Sequence, residues 1–219
     1  MVTLQLNQIN IPPSQRLCLR EIDWPEFNAI IAELGDKRPT RLAYYHQTLE
    51  IRMPSPEHEI NKEIIGDLIK ILLEELEIDR ECFGSTTFKR EDMSAGIEPD
   101  NCFYIQNYQQ TIGKTKIDLS VDPPPDLAIE VDVTSKTQLS AYASLGVPEV
   151  WLYANGQLQI NLLQAGEYVI SPSSPTFPGI PTIVPTLDEF IDLSRREGTS
   201  LALRKFRQWL RQLNSDRSN

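Results

Sequence analysis

Apolar residues recur along this chain with two periods, and the changes from one to the other mark its elements. Spacings of three and four are the pattern of a helix buried on one side. They run through "DWPEFNAIIAELG", where Phe27, Ile30, Ile31 and Leu34 form a stripe. Asp23 can cap this helix, Pro25 suits its first turn, Glu26 completes a capping box, and Gly35 ends it. A longer run, "SPEHEINKEIIGDLIKILLEELEI", steps through Ile60, Ile64, Leu68, Ile71, Leu72 and Glu75. Ser55 is a natural N-cap, Pro56 a natural first residue, and acids crowd the first turn, where they suit the helix dipole. Only the last residue of that stepping face is polar, so the face is expected to be mostly buried.

Elsewhere the period is two. "RLAYYHQTLEIRM" predicts two short strands joined near His46-Gln47. "CFGSTTFKR" and "EPDNCFYI" predict strands on either side of a polar loop, "EDMSAG". "QLQINLLQAGEYVIS" predicts a hairpin about Gly166, followed by a proline-rich loop, "PSSPTFPGIPTIVP". "TLDEFIDLSRREG" opens with a capping-box spacing, Thr186 and Glu189, and "SLALRKFRQWLRQL" is a closing amphipathic helix. The strand "PPPDLAIEVDV" is followed by "SKTQLSAYASLG", a helix ended by Gly146, and by the strand "EVWLYA". Strand, short helix and strand make a crossover, so the two strands are expected to be parallel neighbours. Trp151 and Tyr153 are expected in the core. The sum is an α/β, mixed α+β, domain with helices packed on a sheet.

The strand after "PPP" carries unusual chemistry. Leu127, Ile129, Val131 and Val133 fill its odd positions, while Asp126, Glu130 and Asp132 share the other face. A two-faced strand with its acids facing water is the plain reading, but a parallel strand with a neighbour is usually covered on both faces, and acids on a covered face need a cation: Lys, Arg or a metal. Asp126 is ~13 Å along the strand from Glu130, too far to share one ion, and reads as a turn residue after the prolines. Asp100, at the start of "DNCFYI", is the complement to Glu130. An Asp on one strand and a Glu on another, with no Cys or His pair, is an oxygen-ligand set that suits Mg²⁺ or Mn²⁺. The Val131 carbonyl could complete it, and Lys136 could orient or deprotonate an attacking water. His58 lies in the first turn of the long helix, where an exposed or capping histidine is the ordinary reading.

Composition adds limits. At 219 residues the chain suits one domain with an appendage: residues 1–193, with a core about 40–170, and a basic closing helix over 194–219 packed on it. The three cysteines, Cys18, Cys82 and Cys102, are scattered without a CxxC, which disfavours a zinc knuckle and fits a reducing compartment. "MVTLQLNQINIPP" is not a secretory signal, and no run approaches the ~20 apolar residues of a membrane span. A cytoplasmic protein with no membrane partner is expected. Net charge is −10, which argues against attachment to nucleic acid by bulk charge. Any nucleic acid would need a local basic patch, and the closing helix or Lys89-Arg90 are candidates. For the closing helix, with seven Arg/Lys against two acids from Ser194 onward, a solvated helix face is the plainer reading.

Four stretches, "RLAYYHQTLEIRMPSPEHE", "EPD", "PPPDLAIEVDVTSKT" and "AYASLGVPEVWLY", together resemble the Uma-two family of restriction-endonuclease-like proteins. That family is common in cyanobacteria and belongs to the PD-(D/E)XK nuclease superfamily. The resemblance covers roughly residues 40–170 and is most specific from Pro125 to Tyr153. It implies a restriction-endonuclease-like fold, a central mixed sheet flanked by helices, and a Mg or Mn phosphodiesterase site. By position Asp100 matches the motif aspartate and Glu130 the motif glutamate. His58 matches the start of the first helix, which often contributes to such sites. The superfamily's lysine falls two residues after the glutamate, where this chain has Asp132, and Lys136 is the nearby substitute. Many family members carry a lysine four residues before a helix tyrosine; here the tyrosine is Tyr142 and Gln138 takes that place. The resemblance also implies a homodimer, for which the last helix is an apolar surface candidate. The function expected is a metal-dependent endonuclease hydrolysing nucleic acid, DNA first. The alternative is a non-catalytic module that keeps the nuclease fold to bind nucleic acid or protein, motivated by the displaced lysine and the acidic charge.

Overall fold

The computed structural model describes residues 6–35, 37–131, 136–180 and 182–218. Strand β1 (Arg16–Leu19) and helix α1 (Trp24–Leu34) are followed by the hairpin β2 (Arg41–Tyr45) and β3 (Thr48–Arg52), then by the long helix α2 (Pro56–Glu75). Four short strands come next, β4 (Glu81–Cys82), β5 (Phe88–Arg90), β6 (Ala95–Ile97) and β7 (Asn101–Tyr104). The crossover is β8 (Leu127–Val131), α3 (Lys136–Leu145) and β9 (Glu149–Ala154). A second hairpin, β10 (Gln157–Gln164) and β11 (Glu167–Ser171), precedes α4 (Ile183–Glu197) and α5 (Thr199–Ser218).

The architecture is mixed α/β with flanking helices, and its strands divide over two sheets. One has the order β1-β3-β2-β6-β5, the other β11-β10-β9-β8-β7-β4. The pair β8–β9 is parallel, as a crossover through α3 requires, and the other pairings are antiparallel. Strand β8 is buried along its whole length. Its odd residues, Leu127, Ile129 and Val131, pack with α2, α4 and α5, while Ala128 faces the cluster around Tyr142 of α3. Glu130 shares the face of Ala128 and is the one charged residue of the strand. A third cluster lies under α1, where Phe27 stacks on Tyr44 at 4.3 Å.

Local chemistry explains most element ends. Asp23 accepts from the Glu26 amide and the Glu26 carboxylate accepts from the Asp23 amide, a complete capping box. The Ser55 hydroxyl accepts from the His58 amide, and Pro56 opens α2. Ala165 and Gly166 both take positive φ at the turn of the second hairpin. Trp151 and Tyr153 lie in the core.

Four expectations are corrected. Ile60 is 61% exposed. In the first turns of α2 the inward positions belong to His58, Asn61, Ile64 and Ile65, and at about 100° per residue these turn Ile60 outward. The capping box at Thr186 is absent. Helix α4 begins earlier, with Thr182 as its N-cap, and the Thr186 amide already donates to Thr182 within the helix. Pro185 is tolerated there because a first-turn residue needs no amide donor. Finally, "EDMSAG" is not all loop, since Ala95 and Gly96 open β6, which pairs with both β2 and β5. The stretch "CFGSTTFKR" also divides: Cys82 ends β4 in one sheet and Phe88 begins β5 in the other.

Helix α5 buries Ala202, Phe206 and Leu210, the last two in the main core with α2 and α4. The apolar face that sequence offered as a dimer surface is therefore covered by the chain itself. Three of its cations pair with acids: Arg211 and Arg207 with Glu75, Arg207 also with Glu74, and Lys205 with Glu197. Among the described residues no helix is long and apolar enough to cross a membrane.

Candidate active site

The two sheets meet at Asp100 and Glu130. In the antiparallel pair β7–β8, Asn101 lies opposite Ile129 and Phe103 opposite Leu127. One step further along this register puts Asp100 opposite Glu130, and directly opposed residues point their side chains to the same side. Asp100 is held in this place by its own amide, which donates to the Ile129 carbonyl at 3.1 Å. Both carboxylates are buried, so each needs partners.

Those partners come from four elements. His58, in the first turn of α2, places Nε2 2.8 Å from Asp100 Oδ2. The Val131 amide donates to the same oxygen at 2.8 Å. Tyr142 of α3 donates its hydroxyl to Glu130 Oε1 at 2.6 Å. Arg52, the last residue of β3, reaches across from the other sheet. Its Nη2 lies 3.1 Å from Asp100 Oδ1 and 3.1 Å from Glu130 Oε2, and its Nη1 donates to the Val131 carbonyl at 2.9 Å. One guanidinium thus engages both carboxylates and the carbonyl that closes the set.

Electrostatics separates the two acids. Burial pushes the Asp100 carboxyl up, but the His58 bond, the Arg52 charge and the Val131 amide outweigh it and hold the group below its ordinary value. Glu130 goes the other way: burial and the neighbouring Asp100 charge raise it to about 8 against the pull of Arg52 and Tyr142. Burial lowers Arg52, but Glu130 and Asp100 overcome this and raise it. Asp100 is therefore the carboxylate and Glu130 the proton holder near neutrality. With Asp100 ionised, His58 Nε2 carries the hydrogen of their bond.

The donor set tests well for a hard divalent cation. Two carboxylates and a main-chain carbonyl are the oxygen ligands that Mg²⁺ and Mn²⁺ take. Among the described residues no three His, Cys, Asp or Glu side chains cluster as a ligand group, so the carbonyl is needed as the third donor. These oxygens already share one positive charge, that of Arg52, with Nη2 on the two carboxylates and Nη1 on the carbonyl. Any ion held by them would have to displace the guanidinium.

Sequence placed Asp100, Glu130, Val131 and His58 at one site, and the structure brings all four together. His58 is buried, not the exposed cap that its position suggests. Lys136 is the first residue of α3, but its side chain lies outside the described residues, as does Asp132. Gln138 is buried one turn before Tyr142, on the same helix face. Asp126 is the structural residue expected: its carboxylate accepts from the amides of Ile105, Gln106 and Asn107 and from the Asn107 side chain.

Two site residues escaped the sequence reading. Tyr142 served only as a landmark, and Arg52 was not singled out at all. The available signal was the demand for a counter-charge on the acid face of β8, together with an arginine ending an apolar strand. Of the proposed basic patches, Arg90 is paired with Asp92 and Lys89 with Asn28.

The family model Uma2, described as "Putative restriction endonuclease", matches residues 24–191. A search of curated proteins gives no match. Among solved structures, one match is a protein from Anabaena variabilis described as "a putative nuclease belonging to DUF820". It is 18% identical, the match covers 72% of this chain and 91% of that one, and the TM-score is 0.48. The family match extends the resemblance on both sides, into α1 and into α4. This chain belongs to the Uma2 family of restriction-endonuclease-like proteins.

Proposed function

We propose that this protein is a metal-dependent endonuclease that hydrolyses DNA, with Asp100, Glu130 and the Val131 carbonyl as its ion ligands. The observation that carries this reading is that those three oxygens all turn to one cationic group, the Arg52 guanidinium. A divalent ion bound there would lower the pKa of a water and stabilise charge on the scissile phosphate. The chain's own residues prepare the site. His58 and the Val131 amide orient Asp100 and keep it ionised, and Tyr142 fixes the rotamer of Glu130. Arg52, once displaced, remains beside the site as a cation for a phosphate oxygen. Lys136, at the start of α3, is the residue assigned to electrostatic assistance or to the general-base role.

The same arginine favours a second reading. A guanidinium that satisfies every acceptor of the set can be a permanent counter-charge, and the fold would then serve a binding module without catalysis. Incubating the full chain with DNA and Mg²⁺ or Mn²⁺, beside Asp100→Ala and Glu130→Ala, tests the first reading. Cleavage by the wild type and none by either variant is expected. Equal activity in all three would remove the assignment, and no cleavage by any of them would favour the module.

A further inference from the structure

A second polar cleft, of about 650 Å³, opens at the same end of the first sheet. It begins one strand away from Arg52, the residue that bridges the carboxylates. Arg41 of β2 lies in register with Arg52 of β3, so the two side chains stand side by side on one face. Glu98 lines the cleft while Asp100, two residues on, belongs to the carboxylate site.

The walls are cationic and rich in hydroxyls. Glu98 is consumed within the wall: it takes the buried Arg38 guanidinium as an ion pair, the Thr87 hydroxyl at 2.6 Å and the Leu42 amide at 3.0 Å. Three cations remain, Arg41, Lys89 and Lys116, against one acid, Asp118. Three donors in this cleft are left over among the described residues. The Arg38 Nε, the buried Thr40 hydroxyl and the Arg41 Nε lack a hydrogen-bond partner, and of these Arg41 carries a charge that no acid in the wall takes up. A donor buried without an acceptor costs stability that a bound ligand oxygen restores. Ser85, Thr86 and Thr115 add hydroxyls. Among the described residues no aromatic side chain lines the cleft, so these offer nothing for bases to stack on. Cations and hydroxyls without aromatics are the composition that grips phosphates rather than bases.

We propose that this cleft binds the phosphodiester backbone of a nucleic-acid strand and leads it to Asp100 and Glu130, with Arg41 and Thr40 as the principal contacts. The proposal rests on the nuclease reading for its substrate class. It also resolves a difficulty of the acidic chain: attraction to nucleic acid is local, and it lies at this cleft rather than on α5, where Arg207 and Arg211 are paired with Glu74 and Glu75.

The test is fluorescence anisotropy with a labelled single-stranded oligonucleotide of about 16 nucleotides, in EDTA, across a salt series. Full-length wild type, Arg41→Gln/Lys116→Gln, Thr40→Val and Lys205→Gln are compared. The double variant is expected to bind several-fold more weakly, with a salt slope smaller by ~1.4, from ~0.7 per single-strand phosphate contact. Thr40→Val, which removes one hydroxyl, is expected to weaken binding with its melting temperature kept or raised. Lys205→Gln, on α5 and outside the cleft, is expected to bind as wild type does. Unchanged affinity and slope in the double variant overturn the proposal. So does displacement of the oligonucleotide by an equal concentration of inorganic phosphate, which would mark a site for small oxyanions. The two readings fail separately. Binding that needs Arg41 and Lys116 without any cleavage keeps the cleft and removes the nuclease. Cleavage whose KM and salt slope ignore both residues does the reverse.

Discussion

Arg52 decides the chemistry of the site at the scale of single residues. A buried pair of carboxyls without a counter-charge is unstable, and removing one partner of such a network costs about 3–5 kcal/mol. Arg52→Met is therefore expected to lower stability in urea by about that amount in EDTA. Mn²⁺ is expected to restore part of it, since the ion takes the vacated place. Glu130 gives a pH dependence of defined sign. Its carboxyl is raised from 4.5 to about 8 in the folded chain. Between those values the native state holds a proton that the unfolded chain has released, so stability falls as pH rises and levels off above about 8. Asp100, held low, acts in the opposite sense below its ordinary 3.8, where acid removes its contribution. Denaturation across pH 5 to 9 should therefore show a loss in wild type that Glu130→Gln lacks, with the limits set by the Glu130 shift. A parallel decline in both would contradict the assignment. Asp100 and Glu130 could be paired in sequence because strand alternation puts Glu130 on a face that needs a counter-charge if it is covered, and Asp100 opens another apolar strand in the order helix, strand with Asp, strand with Glu. Arg52 was not, because the need for a cation is local whereas its source lies on another sheet, 78 residues away from Glu130. His58 shows the same limit: a first-turn histidine has one sequence pattern whether it faces water or a buried aspartate.

At the scale of elements, periodicity read the long helices and hairpins well and the short strands poorly. The strand β6 has three residues, Ala95–Ile97, too few for alternation to register, and its pairing with β2 and β5 is a tertiary fact. Its glycine has a packing reason. A Cβ at Gly96 would meet the Phe27 ring at 2.8 and 2.9 Å. That ring is buried and stacked on Tyr44, so it cannot retreat. Gly96→Ala is expected to destabilise by about 1–3 kcal/mol, read as a lower urea midpoint with an unchanged slope. No loss would mean that α1 is free to shift on the sheet. The start of α4 was misplaced for a different reason: Thr186 and Glu189 have the spacing of a capping box, but Ile183 packs into the core and carries the helix back to Thr182.

For the whole molecule, α5 belongs to the body and is not a detached basic arm. Phe206 is buried between Phe190 at 5.0 Å and Trp209 at 5.8 Å. Phe206→Ala is expected to cost about 3–5 kcal/mol, in one unfolding transition. A separate early transition would show that α5 melts independently. The molecule then reads as two sheets meeting at one point, where α2, α3, β3 and β8 each deliver a residue and Arg52 bridges the result. The claim that this point is a cation site, exchangeable between Arg52 and a divalent ion, is tested most directly by calorimetric titration of Mn²⁺ into the full chain, beside Asp100→Asn, Glu130→Gln and Arg52→Met. One site in wild type, tighter binding in Arg52→Met and none in the two carboxyl variants is the result the account predicts. Heats that are the same in wild type and both carboxyl variants, or absent even in folded Arg52→Met, would contradict it.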